Sequence, residues 1–114
     1  MSAATAFSAL PDFTVVGGIA SAAYAQVYCE KLRPDLVFMD VCTEGGASGL
    51  AAVEKLRAEF AQLKIIVMTA FDEVTYAPRA QQAGADAFVY KSRSLGFFIE
   101  TARDVMAGGH YFPA

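Results

Sequence analysis

Apolar residues along the chain alternate between two kinds of pattern. Residues 36–39 (LVFM), 64–68 (KIIVM) and 87–90 (AFVY) are short apolar runs rich in β-branched and aromatic residues, with residues 13–16 (FTVV) a weaker fourth. Runs apolar on both faces belong to buried parallel strands rather than to a sheet with one wet side. The segments between them carry helical spacing. Residues 20–32 place Ala, Tyr and Val on one face and stop before Pro34, and residues 48–60 align Leu50, Val53, Leu56 and Phe60 in one stripe. Residues from about 72 to 83 run to Gly84, and residues 95–106 run to Gly108 and Gly109, both natural stops for a helix. Pro78 lies inside the third helical segment, so that helix is expected to start late or to kink, because proline is tolerated only in a first turn. The predicted order is β-α-β-α-β-α-β-α.

Strict alternation of this kind predicts an open parallel sheet with helices on both faces, in which ligands bind at the carboxyl ends of the strands. The residues at those ends are Asp40, Thr69 and Lys91. A carboxylate, a hydroxyl and an ammonium converging on one cleft suit phosphoryl transfer to the carboxylate. The Asp oxygen attacks phosphorus and carries the group as an acyl phosphate, while the hydroxyl and ammonium hold the equatorial oxygens where charge accumulates. Taken singly, each has a plainer reading: a turn-capping Asp, a strand-end hydroxyl, a solvated lysine. Only their joint register gives them weight.

Composition narrows the classes further. With 114 residues, 55% of them hydrophobic and 18% charged, the chain has the makings of one folded domain, residues 1–114. A net charge of −3 supplies no basic footprint for nucleic acid. Cys29 and Cys42, with His110 as the single histidine, form neither a disulfide framework nor a zinc site, which fits a reducing cytoplasm. No apolar stretch is long enough for a membrane span, and no signal peptide opens the chain. Cys42, beside Asp40, reads as a small packing residue, His110 as a surface residue, and Tyr24 and Tyr28 as cover for the sheet.

Residues 34–40 (PDLVFMD), 67–70 (VMTA) and 84–91 (GADAFVYK) together resemble a bacterial response-regulator receiver domain, over nearly the whole chain. The resemblance implies the flavodoxin-like fold and the roles of the site: Asp40 is phosphorylated by a histidine kinase, Thr69 moves toward the phosphoryl group, Lys91 pairs with it, and Phe88 is the aromatic that reports the state. Residues 11–17 and 107–113 look like members carrying a LuxR-type output domain. Residues 107–114 are then the start of a linker, DNA is contacted only through an output domain outside this sequence, and the chain is a signalling module rather than an enzyme.

Two features depart from the family pattern. Family members open with a strand ending in an acidic pair that holds Mg²⁺ together with the phosphoacceptor. Here residues 1–10 read as the remainder of the first helix, with Phe7 and Leu10 as its apolar positions, so that strand is expected to be missing. Asp40 and the Cys42 carbonyl remain as the metal ligands the resemblance names, an incomplete site. The second departure is the loop 41–50, one residue longer than usual, in which Glu44 reads as solvated. Loss of the strand leaves open edges, for which a four-stranded sheet in a homodimer is the expected remedy. Two functions remain open at this point: a phosphoacceptor controlling an output domain, or a pseudo-receiver that binds partners without phosphorylation. An unrelated α/β enzyme is disfavoured by the absence of a glycine-rich phosphate loop or nucleophile elbow.

Overall fold

The computed structural model describes residues 3–70 and 76–113. Three strands, β1 (Leu36–Asp40), β2 (Lys64–Thr69) and β3 (Ala87–Tyr90), form a parallel sheet in that order. The register pairs Leu36 with Lys64 and Asp40 with Met68, then Ile66 with Ala87 and Thr69 with Tyr90. Among the described residues five α-helices accompany them: α1 (Ala3–Ser8), α2 (Ala25–Leu32), α3 (Gly49–Glu59), α4 (Tyr76–Ala83) and α5 (Leu95–Met106).

Side chains that alternate along a strand face opposite layers, and the core is divided accordingly. On one face Ile66, Ala87 and Val89 are buried with Phe7 of α1 and Phe98, Ala102 and Val105 of α5, and Leu36 and Phe38 lie against them. On the other, Ile65, Val67 and Phe88 are buried with Val53 and Leu56 of α3 and Ala77 and Ala80 of α4, and Cys29 of α2 joins that layer. Full burial of a Leu or Val side chain is worth about 1.5–3 kcal/mol, so the apolar stripe of α3 holds that helix to the sheet.

Local chemistry sets the helix ends. Ser48 and Ser94 cap α3 and α5, each side chain accepting from a backbone N–H at 3.2 Å. Arg33 takes the left-handed conformation (φ 49°) at the end of α2, and Pro34 prevents its continuation. Gly84 (φ 105°) ends α4, where a left-handed residue with no Cβ is needed beside the Arg57 side chain. Pro78 lies in the first turn of the described helix α4; residues 72–75, which the sequence reading included in that helix, lie outside the described residues, as do residues 1, 2 and 114 of the terminal segments.

The fourth strand and the four-stranded sheet do not form. Residues 13–19 have no regular structure, and Val15 and Val16 are exposed. They make no backbone hydrogen bond with β1; polar contacts hold the segment on either side of them. At one end Asp12 takes a two-point ion pair from Arg103 of α5, and at the other Ala20 O accepts from Glu44 N at 3.0 Å. A strand needs a partner within hydrogen-bonding reach, and among the described residues these have none. Among the described residues no strand precedes Leu36.

The tail read as a linker folds back as far as Phe112. Tyr111 bridges Ala87 in parallel, its N–H donating to Asp86 O at 3.2 Å and its carbonyl accepting from Phe88 N at 2.9 Å, and Phe112 rests on the core. The tail thus covers the free edge of β3. Beneath it, the buried Asp86 carboxylate accepts from Ile65 N at 2.8 Å and Arg57 Nη2 at 2.9 Å, with His110 Nε2 at 3.5 Å. Arg57 also donates to the carbonyls of Gly84 and Ala61, joining α3, β2, β3 and the turn between α4 and β3.

Candidate functional site

β1, β2 and β3 end side by side in Asp40, Thr69 and Tyr90-Lys91. Each strand stops where its apolar run stops, so the change from apolar to polar sequence itself puts the polar groups at the rim. Asp40 and Lys91 are brought into direct contact, Lys91 Nζ pairing with Asp40 Oδ2. The second carboxylate oxygen, Oδ1, accepts from Cys42 N at 3.4 Å. The Lys91 backbone is anchored in turn, its N–H donating to Thr69 O at 2.8 Å.

Thr69 is buried at the end of β2. Its register partner is Tyr90, so by strand alternation it shares a face of the sheet with Phe88 and Tyr90. Phe88 is fully buried and meets the Tyr90 ring edge-on, centroids 5.3 Å apart. Sequence reasoning named Asp40, Thr69, Phe88 and Lys91 together, and the structure sets all four at or next to one end of the sheet.

The loop after β1 brings Asp40 into position. Val41 is buried and donates to Met68 O at 3.0 Å, Cys42 bridges Ser48, and Gly49 N returns to Val41 O at 2.9 Å. Thr43 fastens the loop to the chain before α2, its hydroxyl accepting from Ala22 N at 2.9 Å and donating to Ala47 O at 2.8 Å. Gly49 packs so closely under Asp40 that a Cβ there would lie 1.7 Å from the Asp40 carbonyl oxygen and 2.8 Å from its carbon. The need for glycine at this point was not read from the sequence; only a closely packed return of the loop creates it. Glu44 is exposed and its backbone is occupied by Ala20, as a solvated loop residue's would be.

The Asp40–Lys91 pair is accessible, the side chains being 28% and 42% exposed. An ion pair this open is worth about 0–1 kcal/mol. It holds Lys91 at the carboxylate without locking it there, and a more highly charged group on Asp40 would draw the ammonium away.

The described residues do not by themselves make up a magnesium site of the family's kind. Asp40 supplies one carboxylate whose two oxygens already accept from Lys91 and Cys42, and among the described residues no cluster of three His, Cys, Asp or Glu side chains is placed to hold a metal. Cys42 itself offers a carbonyl next to the site and an exposed thiol.

A model of the response regulator receiver domain matches residues 2–102. The response regulator protein VraR of Staphylococcus aureus is 31% identical over 101 residues, which are 89% of this chain and 48% of that protein. The chain therefore spans about half the length of the curated relatives it matches. Among solved structures, a LuxR-family two-component response regulator from Aurantimonas sp. SI85-9A1 superposes with a TM-score of 0.88 at 25% identity, covering 96% of this chain and 77% of that one. A LuxR-family DNA-binding response regulator from Staphylococcus aureus gives 0.83 at 25% identity, covering 91% and 86%. No described helix is long and apolar enough to cross a membrane. With this sheet, this row of strand ends and these relatives, the chain belongs to the receiver domains of two-component response regulators.

Proposed function

We propose that Asp40 is the phosphoacceptor of this receiver, and that its phosphorylation by a histidine kinase in the cytoplasm controls an output domain that contacts DNA. The observation that carries the reading is the Asp40–Lys91 pair at adjoining ends of a parallel sheet, with the Thr69 strand between them. An Asp40 carboxylate oxygen attacks the phosphorus of the phosphohistidine. The P–N bond breaks, the imidazole leaves with the bonding electrons, and Asp40 becomes an acyl phosphate. Lys91 Nζ transfers from the carboxylate to an equatorial oxygen, and the Thr69 hydroxyl donates to another, so the charge that develops meets two donors.

Thr69 and Phe88 are the switch residues in this reading. Movement of Thr69 toward the phosphoryl group vacates space on the face it shares with Phe88, and Phe88 is bonded through its backbone to Tyr111 of the tail. The state of Asp40 is thereby passed to the edge of β3, where the chain continues toward an output domain.

The test is intact-mass spectrometry after incubation with acetyl phosphate, with and without Mg²⁺, beside Asp40→Asn. A gain of one phosphoryl group in either arm, absent from the variant, is the expected result. A folded protein that gains none in both arms, or a variant that gains it equally, refutes the assignment.

A further inference from the structure

The loop from β1 to α3 passes through Gly45 and Gly46, both at positive φ (76° and 78°). Glycine carries no side chain to fix such a turn, and Thr43 does the fixing. Its hydroxyl accepts from Ala22 N at 2.9 Å and donates to Ala47 O at 2.8 Å. Its own N–H donates to Ala47 O, and its carbonyl accepts from Gly46 N, both at 3.3 Å. Thr43 thereby closes the loop on itself and ties it to the chain before α2. Among the described residues no other side chain from Val41 to Ala47 makes a hydrogen bond.

The tie reaches Asp40 through Cys42. Cys42 N donates to Asp40 Oδ1 at 3.4 Å, long for such a bond, whereas Lys91 Nζ pairs with Oδ2. The last torsion of an aspartate is broad and nearly two-fold, so the plane of the carboxylate is set by these two contacts and not by its rotamer. A bond as long as the first persists only while Cys42 is held in place. On one side of Cys42, Val41 is fixed by its bonds to Met68 O and Gly49 N. On the other side the Thr43 hydroxyl does the holding. The carboxylate therefore has one oxygen turned to the loop and the other to the ammonium.

We infer that Thr43 is a positioning residue for the phosphoacceptor: by fixing the loop, its hydroxyl keeps Cys42 N–H on Asp40 Oδ1 and so presents Oδ2, beside Lys91, for reaction. The inference rests on the reading of Asp40 as the phosphoacceptor. With acetyl phosphate as donor, Oδ2 forms the bond to phosphorus, the bond from phosphorus to the acetyl oxygen breaks, and acetate leaves with the electron pair. Oδ1 becomes the acyl carbonyl oxygen and keeps Cys42 N–H as its donor. Lys91 Nζ, already beside Oδ2, meets the phosphoryl oxygens without crossing the site. A slack loop lets the carboxylate turn, and fewer encounters find Oδ2 in place. Thr43 touches no reacting atom, so its effect falls on the rate at saturating donor and not on donor binding.

The test is the time course of phosphorylation by acetyl phosphate, with and without Mg²⁺, read by intact mass over a range of donor concentrations. Wild type is compared with Thr43→Val, Thr43→Ser, Ala22→Pro and Thr101→Val, each checked for folding by circular dichroism. Valine keeps the shape of threonine and suits the extended backbone at position 43 (φ −116°, ψ 171°). Ala22→Pro removes the donor instead; Ala22 opens its helical turn, where proline is tolerated, and Ser21 before it is extended. Thr101→Val deletes a matched hydroxyl bond, to Phe97 O at 2.8 Å, within α5. The expected limiting rate is about tenfold lower in Thr43→Val and Ala22→Pro, short of the hundredfold that displacing a reacting group by about 1 Å costs. The half-saturating donor concentration is unchanged, Thr43→Ser recovers the rate, and Thr101→Val reacts like the wild type despite a lower Tm. A wild-type rate in either Thr43→Val or Ala22→Pro, a Thr43→Ser as slow as Thr43→Val, or a fall in rate that Thr101→Val shares would overturn the inference and leave Asp40 as the phosphoacceptor. A folded wild type that takes no phosphoryl group in either arm refutes the phosphoacceptor reading, and the inference falls with it.

Discussion

Gly49→Ala is a small substitution aimed at the backbone of the site. Its Cβ would lie 1.7 Å from the Asp40 carbonyl oxygen, 2.8 Å from the Asp40 carbon and 3.1 Å from Met39 Cγ. Neither obstacle yields cheaply, because Asp40 is held by the β1–β2 register and Met39 is buried. Overpacking against fixed atoms costs about 1–3 kcal/mol. Alanine is the better helix former by about 1 kcal/mol in a helix interior, but position 49 is the first residue of α3, where only part of that gain is realised. The clash wins, and we expect a net loss of about 1–3 kcal/mol, or a fall in Tm of roughly 4–12 °C for a domain of this size. The chain has no tryptophan, so unfolding is followed by far-ultraviolet circular dichroism. Phosphorylation falls as well, since displacing a reacting group by about 1 Å costs on the order of a hundredfold in rate. Gly18→Ala is the control: its Cβ meets nothing within 4 Å, and it is expected to be neutral or to stabilise by about 0.4–1 kcal/mol through the unfolded state. A Gly49→Ala protein as stable as the wild type and as readily phosphorylated refutes the reasoning.

Three further outcomes are expected. Asp86→Ala leaves Ile65 N–H buried without its acceptor and takes the carboxylate from a partly exposed Arg57; with Arg57 still held by three carbonyls, the loss is about 2–4 kcal/mol in urea unfolding, and a change under about 0.5 kcal/mol would contradict the role given to this carboxylate. Iodoacetamide labels the exposed Cys42 quickly and Cys29 slowly until urea unfolds the chain, because burial shields Cys29 and raises its thiol pKa; equal rates in the native protein would count against the packing of α2. The Arg103 guanidinium bonded to Asp12 lowers that carboxyl below its ordinary 3.8, so the pair contributes stability above that pH and loses it as the pH falls through the native value; Asp12→Asn should lose less stability than wild type on acidification below about pH 4, and parallel curves would show that the pair contributes nothing.

Much of this fold was legible because burial on both faces leaves a continuous apolar run. Residues 64–68 and 87–90 have that signature and form β2 and β3, and the polar residue ending each run lies at the candidate site. Residues 13–16 carry the same composition without forming a strand. Valine and phenylalanine side chains make a pairing favourable only when another strand lies alongside, and that condition belongs to the whole sheet rather than to the segment. The folded-back tail and the Arg57–Asp86 contact were hidden for a related reason. Tyr111 meets Ala87, and Arg57 meets Asp86, across long stretches of chain with no local pattern to announce them. Gly108 and Gly109 correctly marked the end of α5, but a glycine pair serves a return to the sheet as readily as a departure from it. At the site, residue types and spacing were readable, while the loop's dependence on Gly49 came only from its packing beneath Asp40.

The central claim is that Asp40 carries the phosphoryl group. It is tested most directly by reducing the acetyl phosphate-treated protein with borohydride and sequencing its peptides by tandem mass spectrometry. An acyl phosphate on aspartate is reduced to homoserine with loss of phosphate. The account predicts homoserine at position 40 and nowhere else, absent from untreated protein. Homoserine at another aspartate, or phosphate retained on Thr69 or Thr43 with position 40 unchanged, would contradict it.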